Sequence, residues 1–134
     1  MSLDAIGLVS DNVDASKAFY QLLGLALKEV GQGHYEAVTD SGIRLMVDTV
    51  DLIKTINPKW VKPEGSKVVL CFKQHSVAAV DTCYQQLINA GAVSQKPPWD
   101  AFWGQRYACV LDPDGNQVDI FADLLSTDPL PSTK

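Results

Sequence analysis

Two stretches of the chain place apolar residues at helical spacing. Residues 13–24 carry Ala15, Ala18, Phe19, Leu22 and Leu23, and residues 80–91 carry Val80, Cys83, Tyr84, Leu87 and Ile88 in the same rhythm. Val13-Asp14 and Val80-Asp81 open the two stretches, and Gly24 and Gly91 close them, always 67 residues apart. A glycine there suits a helix that ends in a left-handed residue. The pattern predicts two amphipathic helices, one in each half of the chain.

Around each helix the period drops to two. Residues 3–9 precede the first helix and 67–72 the second. Strands at 26–30, 34–38 and 43–48 follow the first, divided by Gly31-Gln32-Gly33 and Asp40-Ser41-Gly42. Strands at 92–95, 104–111 and 116–122 follow the second, with Asp112-Pro113-Asp114-Gly115 as a strong turn. Each half therefore reads strand, helix, strand, strand, strand, and the fold class is α+β with two tandem βαβββ modules. The last strands align residues 43–48 with 118–123, a separation of 75. Ile43, Leu45 and Val47, like Val118, Ile120 and Ala122, then face the helices, while Arg44 and Asp119 occupy equivalent places on the other side. One helix covers one face of a four-stranded sheet, so the other face is free for use.

The boundaries follow. Residues 1–134 form a single domain with module 1 at 3–48, a connector at 49–65, module 2 at 67–122 and a flexible tail at 123–134. In the connector, Leu52, Ile53 and Ile56 suggest a packed helical turn. No apolar run approaches the roughly 20 residues that span a bilayer. The N-terminus lacks a basic segment followed by an apolar one, so no signal peptide is expected. Cys71, Cys83 and Cys109 are odd in number and lack CxxC spacing, which favours reduced thiols in a cytoplasmic protein. Cys71 and Cys109 fall in strands and are expected to be small buried side chains. The formal charge is -5 with scattered basic residues, so a nucleic-acid partner is not expected and a cationic small molecule is.

Three motifs carry a resemblance. Ile6-Gly7-Leu8-Val9-Ser10-Asp11 runs into Ala18-Phe19-Tyr20 and Leu23-Gly24-Leu25; Trp103-Gly104-Gln105-Arg106 follows later; Asp112-Pro113-Asp114-Gly115-Asn116 then leads into a strand. In order and spacing the chain resembles the vicinal oxygen chelate superfamily over residues 3–122. That group includes glyoxalase I, extradiol dioxygenases, fosfomycin-modifying enzymes and bleomycin resistance proteins. The resemblance implies a curved mixed sheet around a cleft, helices on the outer face, and a homodimer. It also implies metal ligands, one from the first and one from the fourth strand of each module. Those four positions fall on Ala5, Val69, Arg44 and Asp119, of which Asp119 alone keeps a carboxylate. A shift of one residue in the first strand makes Asp4 the candidate, and a shift of two in the fourth makes it Met46. Neither rebuilds a four-ligand site, so no cofactor is expected and the chain is closest in character to metal-free, bleomycin-resistance-like members. The alternative is a metal-dependent lyase, isomerase or dioxygenase with a non-standard set built from His34, Glu36 and Asp119.

The remaining candidates are side chains for a small, cationic or planar ligand. Arg44 and Asp119 are either separate rim charges or an ion pair across the cleft where a metal once sat; a free Arg44 would clamp a carboxylate or phosphate. Residues 97–104 hold Trp99, Phe102 and Trp103, which either pack against the other module or a second chain, or close over a planar ligand. Trp60 in the connector would add a further wall, Trp103 lies in a structural motif, and Trp99 and Phe102 are the stronger contact candidates.

Overall fold

The computed structural model describes residues 1–125. Module 1 comprises β1 (Ala5–Ser10), α1 (Val13–Leu22), β2 (Lys28–Gly31), β3 (His34–Val38) and β4 (Arg44–Thr49). A short helix α2 (Val50–Ile56) opens the connector, and β5 (Val69–Lys73), α3 (Val77–Asn89), β6 (Val93–Ala101), β7 (Gln105–Leu111) and β8 (Gln117–Asp123) make module 2. The strands form two four-stranded mixed sheets, ordered β1-β4-β3-β2 and β5-β8-β7-β6. The fold is α+β, two tandem βαβββ modules with their helices outside.

Helix starts follow side-chain chemistry. Asn12 accepts a hydrogen bond from the Ala15 N–H and Ser76 from the Ala79 N–H, each satisfying an orphan donor of a first turn. Gly24 and Gly91 take φ of 87° and 99° after the helices, a conformation that costs an L side chain energy. Leu45 and Val47, with Val118, Ile120 and Ala122, are buried beneath the helices, as the strand alternation requires.

The internal repeat differs in two places from the sequence alignment. The helix caps Asn12 and Ser76 are 64 apart, whereas Gly24 and Gly91 are 67 apart. The three extra residues therefore extend α3 by a turn rather than lengthening the loop before it. In the parallel ladders Ala5 pairs with Arg44 and Val69 with Gln117, so Arg44 corresponds to Gln117 and Met46 to Asp119. The separation in the fourth strand is 73, not 75, and Arg44 and Asp119 are not equivalent.

The boundaries also shift at β6. It runs through Pro97 and Pro98 to Ala101, so most of the expected aromatic loop is strand. Proline lacks a ladder donor and is tolerated here because β6 is an edge strand. The tail expected from 123 begins inside β8, and 126–134 lie outside the described residues. Of the apolar connector residues, Leu52 and Ile53 are half-buried while Ile56 is exposed.

The modules are joined by packing and by one turn. Helices α1 and α3 pack together, and the fully buried Tyr20 meets Phe72 of β5 with ring centroids 6.4 Å apart. The Tyr20 hydroxyl donates to Asp112 at 2.6 Å, and Ser16 Oγ donates to Asp114 at 3.1 Å. Both acceptors sit in the Asp112–Gly115 turn between β7 and β8, which thus holds the helix of the other module.

Candidate functional site

Strand register maps the face of each sheet turned away from the helices, because ladder partners stand side by side and point the same way. On module 2 one row across β5, β8, β7 and β6 is Cys71, Asp119, Cys109 and Lys96. The next row is Lys73, Phe121, Tyr107 and Trp99. Phe121 stacks on Tyr107 at 5.8 Å between centroids, and Tyr107 meets Trp99 edge-on at 5.8 Å. Trp103 extends the series, 5.3 Å from Tyr107 and 5.8 Å from Trp99. A continuous aromatic wall therefore crosses three strands and reaches the β6–β7 turn.

Asp119 stands beside this wall, 5% exposed although it is on the open face. The Tyr107 hydroxyl donates to it at 2.6 Å and the Gln117 amide at 3.2 Å. Both donors are neutral. Burial, followed by the hydrogen bond to Asp119, pushes the Tyr107 hydroxyl well above its usual range. Burial and the same carboxylate push the Cys109 thiol up to about 12, so Cys109 is no nucleophile at neutral pH. Cys71 is exposed on the edge strand, contrary to the buried position expected for it; its Sγ is 3.9 Å from the Tyr107 oxygen.

The open face of module 1 is built from charge. His34 bridges two carboxylates: Nδ1 contacts Asp48, and Nε2 contacts Glu36 at 2.6 Å. Arg44 then joins Glu36 at 2.9 Å to Asp4 at 2.7 Å. A carboxylate stands at each ring nitrogen, and the hydrogen bonds to Asp48 and then Glu36 favour the imidazolium and raise its pKa above 6.5. A raised histidine pKa stabilises the fold most below the unfolded value near 6.5, and that contribution is lost as pH rises through the folded value. The wild-type unfolding free energy should therefore fall, relative to His34→Gln, as pH rises above the unfolded histidine value near 6.5. Urea denaturation across that range checks this; parallel pH profiles would count against the bridge.

The sequence candidates are only partly brought together. Arg44 and Asp119 form no pair with each other: Arg44 is held by Asp4 and Glu36, and Asp119 by Tyr107 and Gln117. The physical reason is the two-residue shift in register, which places Arg44 opposite Ala5 and Asp119 opposite Cys71. Trp99 and Trp103 are in the wall, and the Trp103 indole N–H also donates to Gln105 at 2.8 Å. Phe102 touches the edge of Trp103 but is 97% exposed at the turn. The ring pairs of this cluster do not include Trp60. Sequence reading passed over Tyr107, Phe121 and Lys96. Alternation from Asp119 to Phe121 was the available signal; the cross-strand neighbours needed the ladder. Between the modules lies a cavity of about 540 Å³, lined by Ile6, Arg44, Leu70, Cys71 and Phe72 among others.

The residues at the implied metal positions do not fit a divalent ion. Ala5 and Val69 have no side-chain donor atom, and by strand register the module 1 equivalent of Asp119 is Met46, a thioether. Arg44, the other fourth-strand candidate, is a cation already committed to two carboxylates. Nor do His34, Glu36 and Asp119 assemble: among the described residues no three His, Cys, Asp or Glu side chains converge as a metal site.

Two paired βαβββ modules with open faces of this kind define a fold class shared by metal enzymes and binding proteins. The chain belongs to the glyoxalase/bleomycin resistance protein/dioxygenase superfamily, whose family model matches residues 2–120. A glyoxalase/bleomycin resistance protein/dioxygenase from Nocardioides is similar at 26% identity, over 96% of this chain and 87% of its own, with a TM-score of 0.74. A family enzyme from Burkholderia phytofirmans PsJN shares the fold at 23% identity, over 92% and 100%, with a TM-score of 0.83. Lactoylglutathione lyase from Agrobacterium tumefaciens shares it at 17% identity, over 90% and 92%, with a TM-score of 0.67. No curated protein matches the chain. No helix among the described residues is long and apolar enough to cross a membrane.

Proposed function

We propose that this chain is a small-molecule-binding protein of its superfamily that works without a bound metal. Its ligand is planar and lies on the open face of module 2. The observation that supports this reading is the wall of Phe121, Tyr107, Trp99 and Trp103 beside the carboxylate of Asp119. Aromatic faces bind planar and cationic groups, and a buried carboxylate with only neutral donors favours a positive or hydrogen-bond-donating group on the ligand. Sequestration of a drug-like molecule in the cytoplasm is the role this chemistry suits. A homodimer belongs to the same reading. Strands β1 and β5 each end a sheet, and Val68 and Val69 at the β5 edge are exposed, so a second copy would cover them.

The test is elemental analysis of purified, dialysed protein after growth with added zinc, iron, manganese and nickel. Only trace metal is expected, unchanged by Asp119→Ala. About one metal per chain in the wild type, falling to none in the variant, would restore the metal-enzyme alternative.

A further inference from the structure

We propose that Lys96 is a second polar anchor of the ligand site, so that the ligand is a zwitterionic planar molecule rather than a simple cation. This rests on the reading of the aromatic wall as a ligand site. Lys96 shares a row with Asp119, separated from it by Cys109 alone. At about 4.8 Å between strands, the two backbone positions stand roughly 10 Å apart. The aromatic row of Phe121, Tyr107 and Trp99 runs alongside, with Trp99 turned edge-on to Tyr107, so a planar ligand packed against one of these rings has Asp119 toward one side and Lys96 toward the other.

Four observations single out Lys96 from an ordinary surface lysine. The ladder between β6 and β7 is irregular on both sides of it, between Ser94 and Lys96 and again between Lys96 and Trp99. Such bulges re-aim a side chain. Pro97 and Pro98 follow directly and fix the backbone beyond it. The aim is toward the site: Lys96 Nζ lies 4.5 Å from the Trp99 ring centroid. Finally, its charge rests on an aromatic face and not on a carboxylate. Lys73, the other lysine on this face, binds Asp123 at 3.2 Å, whereas Lys96 has no carboxylate partner among the described residues.

The local charge then differs from that of the whole chain. The chain carries -5, but Lys73 and Lys96 balance Asp119 and Asp123 on this face. A purely cationic ligand that reaches Asp119 along the wall meets Lys96 at the other end. A carboxylate or comparable anion at that end turns the repulsion into a charge-assisted hydrogen bond.

The experiment uses the full chain and two matched fluorescent probes, 9-aminoacridine, a planar cation, and 9-aminoacridine-2-carboxylate, a zwitterionic counterpart whose carboxylate lies away from the protonated ring nitrogen. Fluorescence anisotropy is read for wild type, Lys96→Met and the conservative Lys96→Arg, with circular dichroism to verify folding. The wild type should bind the zwitterion about tenfold more tightly than the cation. Lys96→Met should remove that preference and Lys96→Arg should keep it. Equal or tighter binding of the cation by wild type, or an unchanged ratio in Lys96→Met, overturns the role of Lys96 while leaving the aromatic site intact. If neither probe binds the wild type saturably, the ligand-site reading fails and the role of Lys96 with it.

Discussion

Asp112→Ala is expected to lower the unfolding free energy by about 3 kcal/mol. The carboxylate is 5% exposed and accepts four hydrogen bonds: from Tyr20 Oη at 2.6 Å, from the backbone N–H groups of Asp114 and Asn116 at 2.9 and 2.8 Å, and from Asn116 Nδ2 at 2.8 Å. Alanine abandons all four donors. Three belong to Asp114 and Asn116 and regain water at modest cost, but the Tyr20 hydroxyl sits in a side chain with no exposed surface. An unsatisfied group of that kind costs about 1–3 kcal/mol, and hydrogen bonds to a charged acceptor are the stronger ones. The turn also carries Asp114, which accepts from the Asp11 N–H at 2.8 Å and from Ser16, so its collapse loosens module 1 as well. Tyr20→Phe removes one donor and leaves Asp112 with three, so about 1 kcal/mol is expected. Urea denaturation of the three proteins decides the matter. A loss below 1 kcal/mol for Asp112→Ala, or equal losses for both variants, would refute the account. In a thermal melt the larger variant should drop by roughly 10 °C.

The parts of the fold that depend on local chemistry are legible in the sequence. Helical spacing from Ala15 to Leu23 marks α1, Gly24 marks its end, and Asp112-Pro113-Asp114-Gly115 marks the turn that became the link between modules. Register is a different kind of information. Residues 43–48 and 118–123 look alike because each ends in aspartate, yet Arg44 is fixed opposite Ala5 and Asp119 opposite Cys71 by hydrogen bonds to other strands. No local pattern carries that pairing, so residue types alone could not show that Arg44 and Asp119 stand at different places in the repeat and do not pair. Pro97 and Pro98 misled for a related reason. Proline excludes a residue from a central strand but not from an edge, and which strand lies at the edge is a property of the assembled sheet. Tyr107 and Phe121 went unnoticed because their meaning comes from standing next to Trp99 and Asp119, three strands brought together from positions 99 to 121.

That geometry separates two residues the sequence ranks alike. Trp99 lies within the wall, half-buried and in contact with both Tyr107 and Trp103, whereas Phe102 projects from the turn with 97% of its surface exposed. Stacking on an aromatic ring contributes about 1–2 kcal/mol, so Trp99→Ala should weaken binding of the acridine probes by roughly 10- to 30-fold. Phe102→Ala should change it by less than about threefold, because a ring already in water has little desolvated contact to lose. Isothermal titration calorimetry suits the comparison, since removing Trp99 also removes a fluorophore. Trp99→Phe guards against a purely structural effect: it keeps an aromatic face beside Tyr107 and should recover most of the lost affinity. If Phe102→Ala proves the more damaging change, the ligand sits over the turn at the end of the wall, and Asp119 is too far inside the sheet to touch it. If neither change matters, the aromatic wall is packing for a second chain, and the dimer would then weaken in Trp99→Ala under sedimentation.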